Sequence, residues 1–214
     1  GLMRQCGAIH VNSLDELVDA MKALLYIKPT SGDRVGLIAM TGGQSVVVSD
    51  SFAKAGLKVP RLSDESYREL DTFFSIIGGS YRNPLDISSN FDSVDKVVRM
   101  LDIMDRDPNV DAIVMEVSLM FLALTRRQEV DPGFYGRLLQ ALASFKERSA
   151  KAFAVTLMAG NLEAEAVPAR LELQKLGIAG FASFERAANA LSKVVDCNRL
   201  RRGLETVELA PAAT

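Results

Sequence analysis

The stretch Arg34-Val35-Gly36-Leu37-Ile38-Ala39-Met40, followed at once by Thr41-Gly42-Gly43-Gln44-Ser45, decides the fold of this chain. The continuous apolar run at 34–40 is typical of a central strand in a parallel sheet, because such a strand is covered by helices on both faces. The glycine pair predicts a tight turn, and a helix is predicted from about residue 45 to residue 54. We therefore expect a strand, a turn and a helix in direct succession.

Strand and helix patterns alternate along the rest of the chain. Further strands are predicted at 7–11, 57–60, 111–117, 152–157 and 178–182, and further helices at 14–25, 63–74, 93–106, 133–148, 163–176 and 184–202. Strands that alternate with helices of about ten or more residues form right-handed βαβ units and a parallel sheet. The sequence therefore predicts a three-layer α/β domain, flavodoxin-like and doubly wound, with strand order 2-1-3-4-5.

Composition limits the class of protein. The 214 residues, 48% of them hydrophobic, suffice for one well-buried core. A net charge of −2, from 25 basic and 27 acidic side chains, argues against a nucleic-acid partner. No apolar stretch reaches the roughly 20 residues of a membrane span. Two cysteines are too few for a disulfide scaffold, which indicates a reducing compartment, the cytoplasm. The chain begins with glycine and not methionine, which favours an excised fragment.

The turn Thr41, Gly42, Gly43, Gln44 and Ser45 is the candidate ligand site, because ligands of doubly wound sheets bind beyond the carboxyl ends of the strands. The N-terminus of the next helix offers free N–H groups and a positive dipole end, which suit a phosphate. The alternative is a tight turn that binds nothing. The turn lacks the dinucleotide and P-loop glycine patterns. The absence of tryptophan argues against a flavin carrier, which stays open as a third class.

Four other side chains are candidates for supporting roles at this site. Asp50 lies in the helix after the turn, Asn83 and Asp86 flank a proline, and Glu116 lies near the end of an apolar strand. Each has a structural alternative, namely a buried polar contact for Asp50, turn hydrogen bonds for the Asn83–Asp86 pair and an exposed edge position for Glu116. The single histidine, His10, excludes a His-pair metal site, so we expect no metal and a surface or packing role for it.

The apolar run 119–124 follows the third long strand. Exposed to solvent, such a run is unfavourable, so it either folds onto the core or forms a surface for another domain. The sequence slightly favours the second interpretation.

Several motifs, in order along the chain, resemble the NDP-forming acyl-CoA synthetases, the ADP-forming relatives of succinyl-CoA synthetase. The stretch Gly7 to Leu17 resembles their G-x-I-x-V-x-S-L-x-E-L element, and Gly42-Gly43 with Asp50 resembles G-G-x-x-x-x-x-x-D. Further resemblances are Asn83-Pro84-Leu85-Asp86 to N-P-V-D, Asp107 to Ala112 to D-P-x-V-D-A, and Phe184 to Ala188 to x-E-R-A-A. The ordered set covers nearly the whole chain.

The resemblance implies a ligase that joins a carboxylic acid to CoA with ATP or GTP, releasing NDP and phosphate. An acyl phosphate forms, and a phosphohistidine on a mobile loop carries the phosphate between sites. Residues 42–45 would supply one of two helix N-termini that cradle this phosphohistidine, so this domain has no catalytic residue of its own. The resemblance implies CoA, nucleotide and Mg for the whole ligase and no cofactor bound by this chain.

The chain departs from the family in what it lacks. The phosphohistidine loop, the CoA-binding Rossmann domain and the ATP-grasp domain are absent, and His10 does not match the loop histidine. The resemblance therefore implies that residues 1–28 are the tail of a preceding ligase domain and residues 29–214 the flavodoxin-like domain. Those missing domains would be its partners, a homodimer stays open, and we expect the isolated chain to be inactive. The alternative function is a non-catalytic binding or interaction module.

Overall fold

The computed structural model describes residues 7–40, 42–127, 131 and 133–208. The strands are β1 (Val35–Ala39), β2 (Leu85–Asp86), β3 (Ala112–Glu116), β4 (Ala152–Thr156) and β5 (Ala179–Phe181). The helices are α1 (Leu14–Tyr26), α2 (Gly42–Lys54), α3 (Asp64–Asp71), α4 (Val94–Arg106), α5 (Leu119–Arg127), α6 (Phe134–Arg148), α7 (Glu163–Lys175) and α8 (Phe184–Glu208), with a 3-10 turn at Ser88–Asn90.

The five strands form one parallel sheet in the order β2-β1-β3-β4-β5, which confirms the predicted topology. One apolar layer packs between the sheet and α1, α2 and α8. The other packs between the opposite face and α3, α4, α6 and α7. Burial on both faces explains why β1 and β3 are apolar at successive positions, since neither face of these strands meets water.

The predicted second strand at 57–60 is wrong. That segment makes only an isolated parallel bridge, in which Val35 N donates to Lys58 O over 2.7 Å. The edge position beside the carboxyl end of β1 belongs instead to β2, paired through Ile38↔Leu85 and Ala39↔Asp86. The neighbours of β1 on this side are therefore two short segments, one at each end of the strand.

Asn83 joins these two segments to β1. Its Nδ2 donates to Val35 O and to Pro60 O, and its Oδ1 accepts from Leu37 N, at distances of 2.8 to 2.9 Å. The side chain thus replaces the ladder bonds that a longer edge strand would make. It lies before the cis peptide bond to Pro84 and directly before β2.

Two other segments differ from the sequence prediction. Residues 7–11 form no strand. The run at 119–124 begins α5, in which Leu119 and Leu122 are buried and Phe121 packs edge-on against Phe91 with ring centroids 5.2 Å apart. Leu119, Phe121 and Leu122 therefore fold onto the core, which is the interpretation that the sequence favoured less, and Met120 is exposed. Among the described helices none is long and apolar enough to cross a membrane.

Candidate functional site at the carboxyl end of the sheet

Three buried polar side chains end strands at the carboxyl end of the sheet. Asp86 ends β2, Glu116 ends β3 and Thr156 ends β4, and they are 7%, 3% and 0% exposed. Glu116 and Thr156 are partners in the register, and Asp86 pairs with Ala39 of β1. Because alternate residues of a strand share a face, Glu116 and Thr156 point to the side covered by α2 and α8.

Helix α2 starts at the carboxyl end of the sheet, three residues before the predicted position. It begins at Gly42, close after the end of β1, and its first turn contains no acidic side chain. A Cβ on Gly42 would stand 2.9 Å from Oδ2 of Asp86, whereas a Cβ on Gly43 would meet no atom within 4 Å. A side chain at position 42 would therefore require the Asp86 carboxylate to move, whereas position 43 opens outward. Thr41 and the side chain of Gln44 lie outside the described part of the chain.

Glu116 holds the backbone that leads into this turn. Its Oε2 accepts a hydrogen bond from Met40 N over 2.9 Å. Burial raises the pKa of the Glu116 carboxyl, the Met40 N–H opposes that effect, and the negative charge of Asp86 adds to it. Asp86 in turn accepts a hydrogen bond from Ser88 N through Oδ1 over 3.2 Å. Two carboxylates thus fix the chain beside the start of α2.

Of the four candidate supporting side chains, only Asp86 and Glu116 lie beside the start of α2. Asp50 is exposed on α2, where it forms an ion pair with Lys54 over 2.6 Å. Asn83 is occupied by its bonds to β1 and Pro60. His10 is exposed and lines a groove of about 310 Å³ against α8. Ser45 lies in the first turns of α2, where its carbonyl accepts from Ser49 Oγ.

Sequence reasoning missed Thr156. Its Oγ1 is buried and has no hydrogen-bond partner within the described residues. Threonine is common in strands, so its position inside a predicted strand carried no signal. Metal ligands are not assembled either, since the described residues contain no group of three or more His, Cys, Asp or Glu side chains suited to a metal ion.

Two curated relatives are each 29% identical to this chain. One is the alpha subunit of ADP-forming acetate–CoA ligase II from Pyrococcus furiosus, matched over 111 residues, which are 52% of this chain and 24% of that protein. The other is ADP-forming 4-hydroxybutyrate–CoA ligase from Nitrosopumilus maritimus, matched over 114 residues, which are 53% of this chain and 16% of that protein. The chain is a relative of the ADP-forming acyl-CoA synthetases. No protein-family model matches it.

Solved structures of an acetyl-coenzyme A synthetase share the fold of nearly the whole chain. Acetyl-coenzyme A synthetase 1 of Candidatus Korarchaeum cryptofilum superposes with a TM-score of 0.74 in its apo form, at 23% identity over 97% of this chain. Its complex with phosphate and ADP gives 0.73, at 24% identity over 98% of this chain. Each match spans 42% of the synthetase chain, and the curated matches span a quarter of their relatives or less.

Proposed function

We propose that this chain is one domain of an NDP-forming acyl-CoA synthetase. The whole ligase would join a carboxylic acid to CoA and convert a nucleoside triphosphate to NDP and phosphate, through an acyl phosphate and a phosphohistidine. The role of this domain would be to present the first turn of α2, at residues 42–45, to the phosphohistidine of another domain. The observation that carries the proposal is the open helix start at Gly43, beyond the carboxyl end of β1.

The physical basis is the charge distribution of a helix end. The first N–H groups of a helix have no partner within the helix, and the aligned peptide dipoles leave a positive partial charge there. Helix α2 has 13 residues and no acidic side chain in its first turn. The open space at Gly43 leaves room for a phosphoryl group to approach the backbone.

Asp86 and Glu116 would act on the turn and not on the phosphoryl group. Both are buried and would repel an anion that approached them closely. Glu116 accepts a hydrogen bond from Met40 N, and Asp86 faces Gly42 from the sheet side. We infer that these two carboxylates are positioning residues, which keep the start of α2 at a fixed distance from the sheet.

The remaining parts of the reaction belong to other domains of the ligase. CoA, ATP or GTP and Mg would bind to a CoA-binding Rossmann domain and an ATP-grasp domain, and the ligase would work in the cytoplasm. The share of each relative that this chain matches supports such a division. The isolated chain should therefore form no acyl-CoA from acid, CoA and ATP, and turnover above background by this chain would contradict the proposal.

A charge at position 43 tests the role of the helix start. In the complete ligase, Gly43→Asp adds a negative charge where the phosphoryl group would lie, and Gly43→Asn adds the same shape without the charge. We expect Gly43→Asp to lower acyl-CoA formation and acid-labile phosphorylation about tenfold more than Gly43→Asn does. Equal effects of the two variants, with unchanged melting temperatures, would refute the cradle. A complete gene without ligase domains would instead favour a non-catalytic module.

A further inference from the structure

Helix α1 turns its apolar side chains away from the domain. Met21 is 54% exposed and Leu25 is 72% exposed, although both are large hydrophobic residues. The exposed side chains recur at helical spacing and form one continuous stripe, here called the α1 stripe: Leu14, Leu17, Val18, Met21, Leu24 and Leu25. Monomeric proteins rarely expose contiguous apolar patches larger than a few hundred Å². The stripe therefore indicates a surface that another body covers.

The opposite side of α1 carries its charges and packs against α8. Asp19 is only 4% exposed and pairs with Arg186. Glu16 pairs with Lys193 over 3.2 Å, and Lys22 Nζ donates to Gly180 O at the sheet edge over 3.0 Å. These contacts fix the rotation of α1 about its axis, because turning the stripe inward would break all of them. The stripe is therefore preformed on the surface.

We propose that the α1 stripe is the docking surface for another domain of the complete ligase. The inference rests on the proposed function. The solved synthetase chains match nearly all of this chain and yet are more than twice as long, so more than half of each lies outside the matched part and is available to cover such a surface. The occupant should present apolar side chains, since the stripe itself contains none that is polar.

The size of the stripe favours a linked domain over a second copy of this chain. A specific complex between separate proteins buries about 800 Å² on each partner, which is more than six side chains of one helix provide. A domain tethered nearby has an effective concentration in the millimolar range, so a smaller contact suffices to hold it. A neighbouring domain is therefore the occupant that the geometry fits.

Thiol labelling tests this docking. In a Cys6→Ser, Cys197→Ser background, Met21→Cys places a thiol on the stripe, and Leu171→Cys places one on α7 at a site of matched exposure, 52% against 54%. Maleimide labelling rates are compared between the 214-residue chain and the complete ligase. We expect labelling at position 21 to slow about tenfold in the complete ligase and labelling at position 171 to change about twofold at most.

Three results would overturn the docking inference. Equal labelling of position 21 in both proteins would show that nothing covers the stripe. Equal slowing at both positions would show a general loss of reagent access. Slow labelling in the isolated chain, together with a doubled sedimentation mass that Met21→Glu abolishes, would identify a second copy as the occupant. None of these results contradicts the proposed function. The proposed function is contradicted by a different result, namely that the complete gene product forms no acyl-CoA.

Discussion

The carboxylate of Asp86 lies against Gly42: a Cβ on that glycine would lie 2.9 Å from Oδ2 of Asp86. A Cβ on the neighbouring Gly43 would have no atom within 4 Å. Two adjacent glycines at the start of α2 thus have different surroundings. A side chain at position 42 would displace the Asp86 carboxylate, and position 43 is free of that constraint.

Alanine at the two glycines should have opposite effects on folding. Gly43→Ala should raise the free energy of unfolding by about 0.5 kcal/mol, because alanine favours the helix and finds open space. Gly42→Ala should lower it by about 1 to 2 kcal/mol, since buried Asp86 would have to move. Urea denaturation of both variants checks this. Equal changes in the free energy of unfolding for the two variants would contradict the contact between Gly42 and Asp86. So would a Gly42→Ala, Asp86→Ser double variant that is no more stable than Gly42→Ala.

Glu116→Gln should change how stability depends on pH. The pKa of Glu116 is raised in the folded state, mainly by burial, so its contribution is fully present below the unfolded pKa. That contribution is lost as pH rises through the folded pKa. The stability of Glu116→Gln relative to the unmodified chain should therefore increase from about pH 4 upward and then level off.

Urea denaturation across this pH range provides the measurement. The control is Glu147→Gln, because a hydrogen bond from Lys146 lowers the pKa of the Glu147 carboxyl. A lowered pKa gives stability that is present above the unfolded pKa and is lost as pH falls, so the control should show the opposite slope. A flat difference for Glu116→Gln would show that burial does not perturb this carboxyl.

Asn83→Ala should destabilise the domain by about 2 to 3 kcal/mol. The change removes three hydrogen bonds and leaves Leu37 N and two carbonyl oxygens without their partner. Asn109→Ala is the matched control, since its side chain makes one exposed bond to Arg61 O over 3.2 Å. That control should cost less than about 1 kcal/mol. Similar denaturation midpoints for both variants would argue against the joining role of Asn83.

Asp19→Asn should weaken the attachment of α1, and Asp15→Asn should not. Both carboxylates approach Arg186, but the side chain of Asp19 is 5% exposed and that of Asp15 is 84% exposed. Loss of the buried partner should cost about 2 kcal/mol, and loss of the exposed one less than about 0.5 kcal/mol. Proteolysis between α1 and β1, compared by gel, should accelerate only for Asp19→Asn. Equal cleavage rates would mean that the ion pair does not hold the helix.

Local pattern was enough to predict most elements but only part of the candidate site. Ser13 caps α1, with Glu16 N donating to Ser13 Oγ over 3.1 Å, and a serine three residues before a glutamate is the local pattern of such a cap. Glu116 was a candidate because a carboxylate near the end of an apolar strand is unusual. Thr156 gave no such signal, and Asp50 matched a motif although its side chain faces solvent beside Lys54.

The sequence by itself determined the alternation of strands and helices, the central position of β1 and the presence of a helix closely after it, because these depend on periodicity and backbone conformation over a few residues. Only the tertiary structure decided the rest. A two-residue strand such as β2 has no period of its own and exists through its pairing with β1. The outward direction of the α1 stripe is likewise decided by Arg186 and Lys193, which lie more than 160 residues further along the chain. Contacts between residues so distant in sequence leave no local pattern, and they determine which surfaces this domain presents.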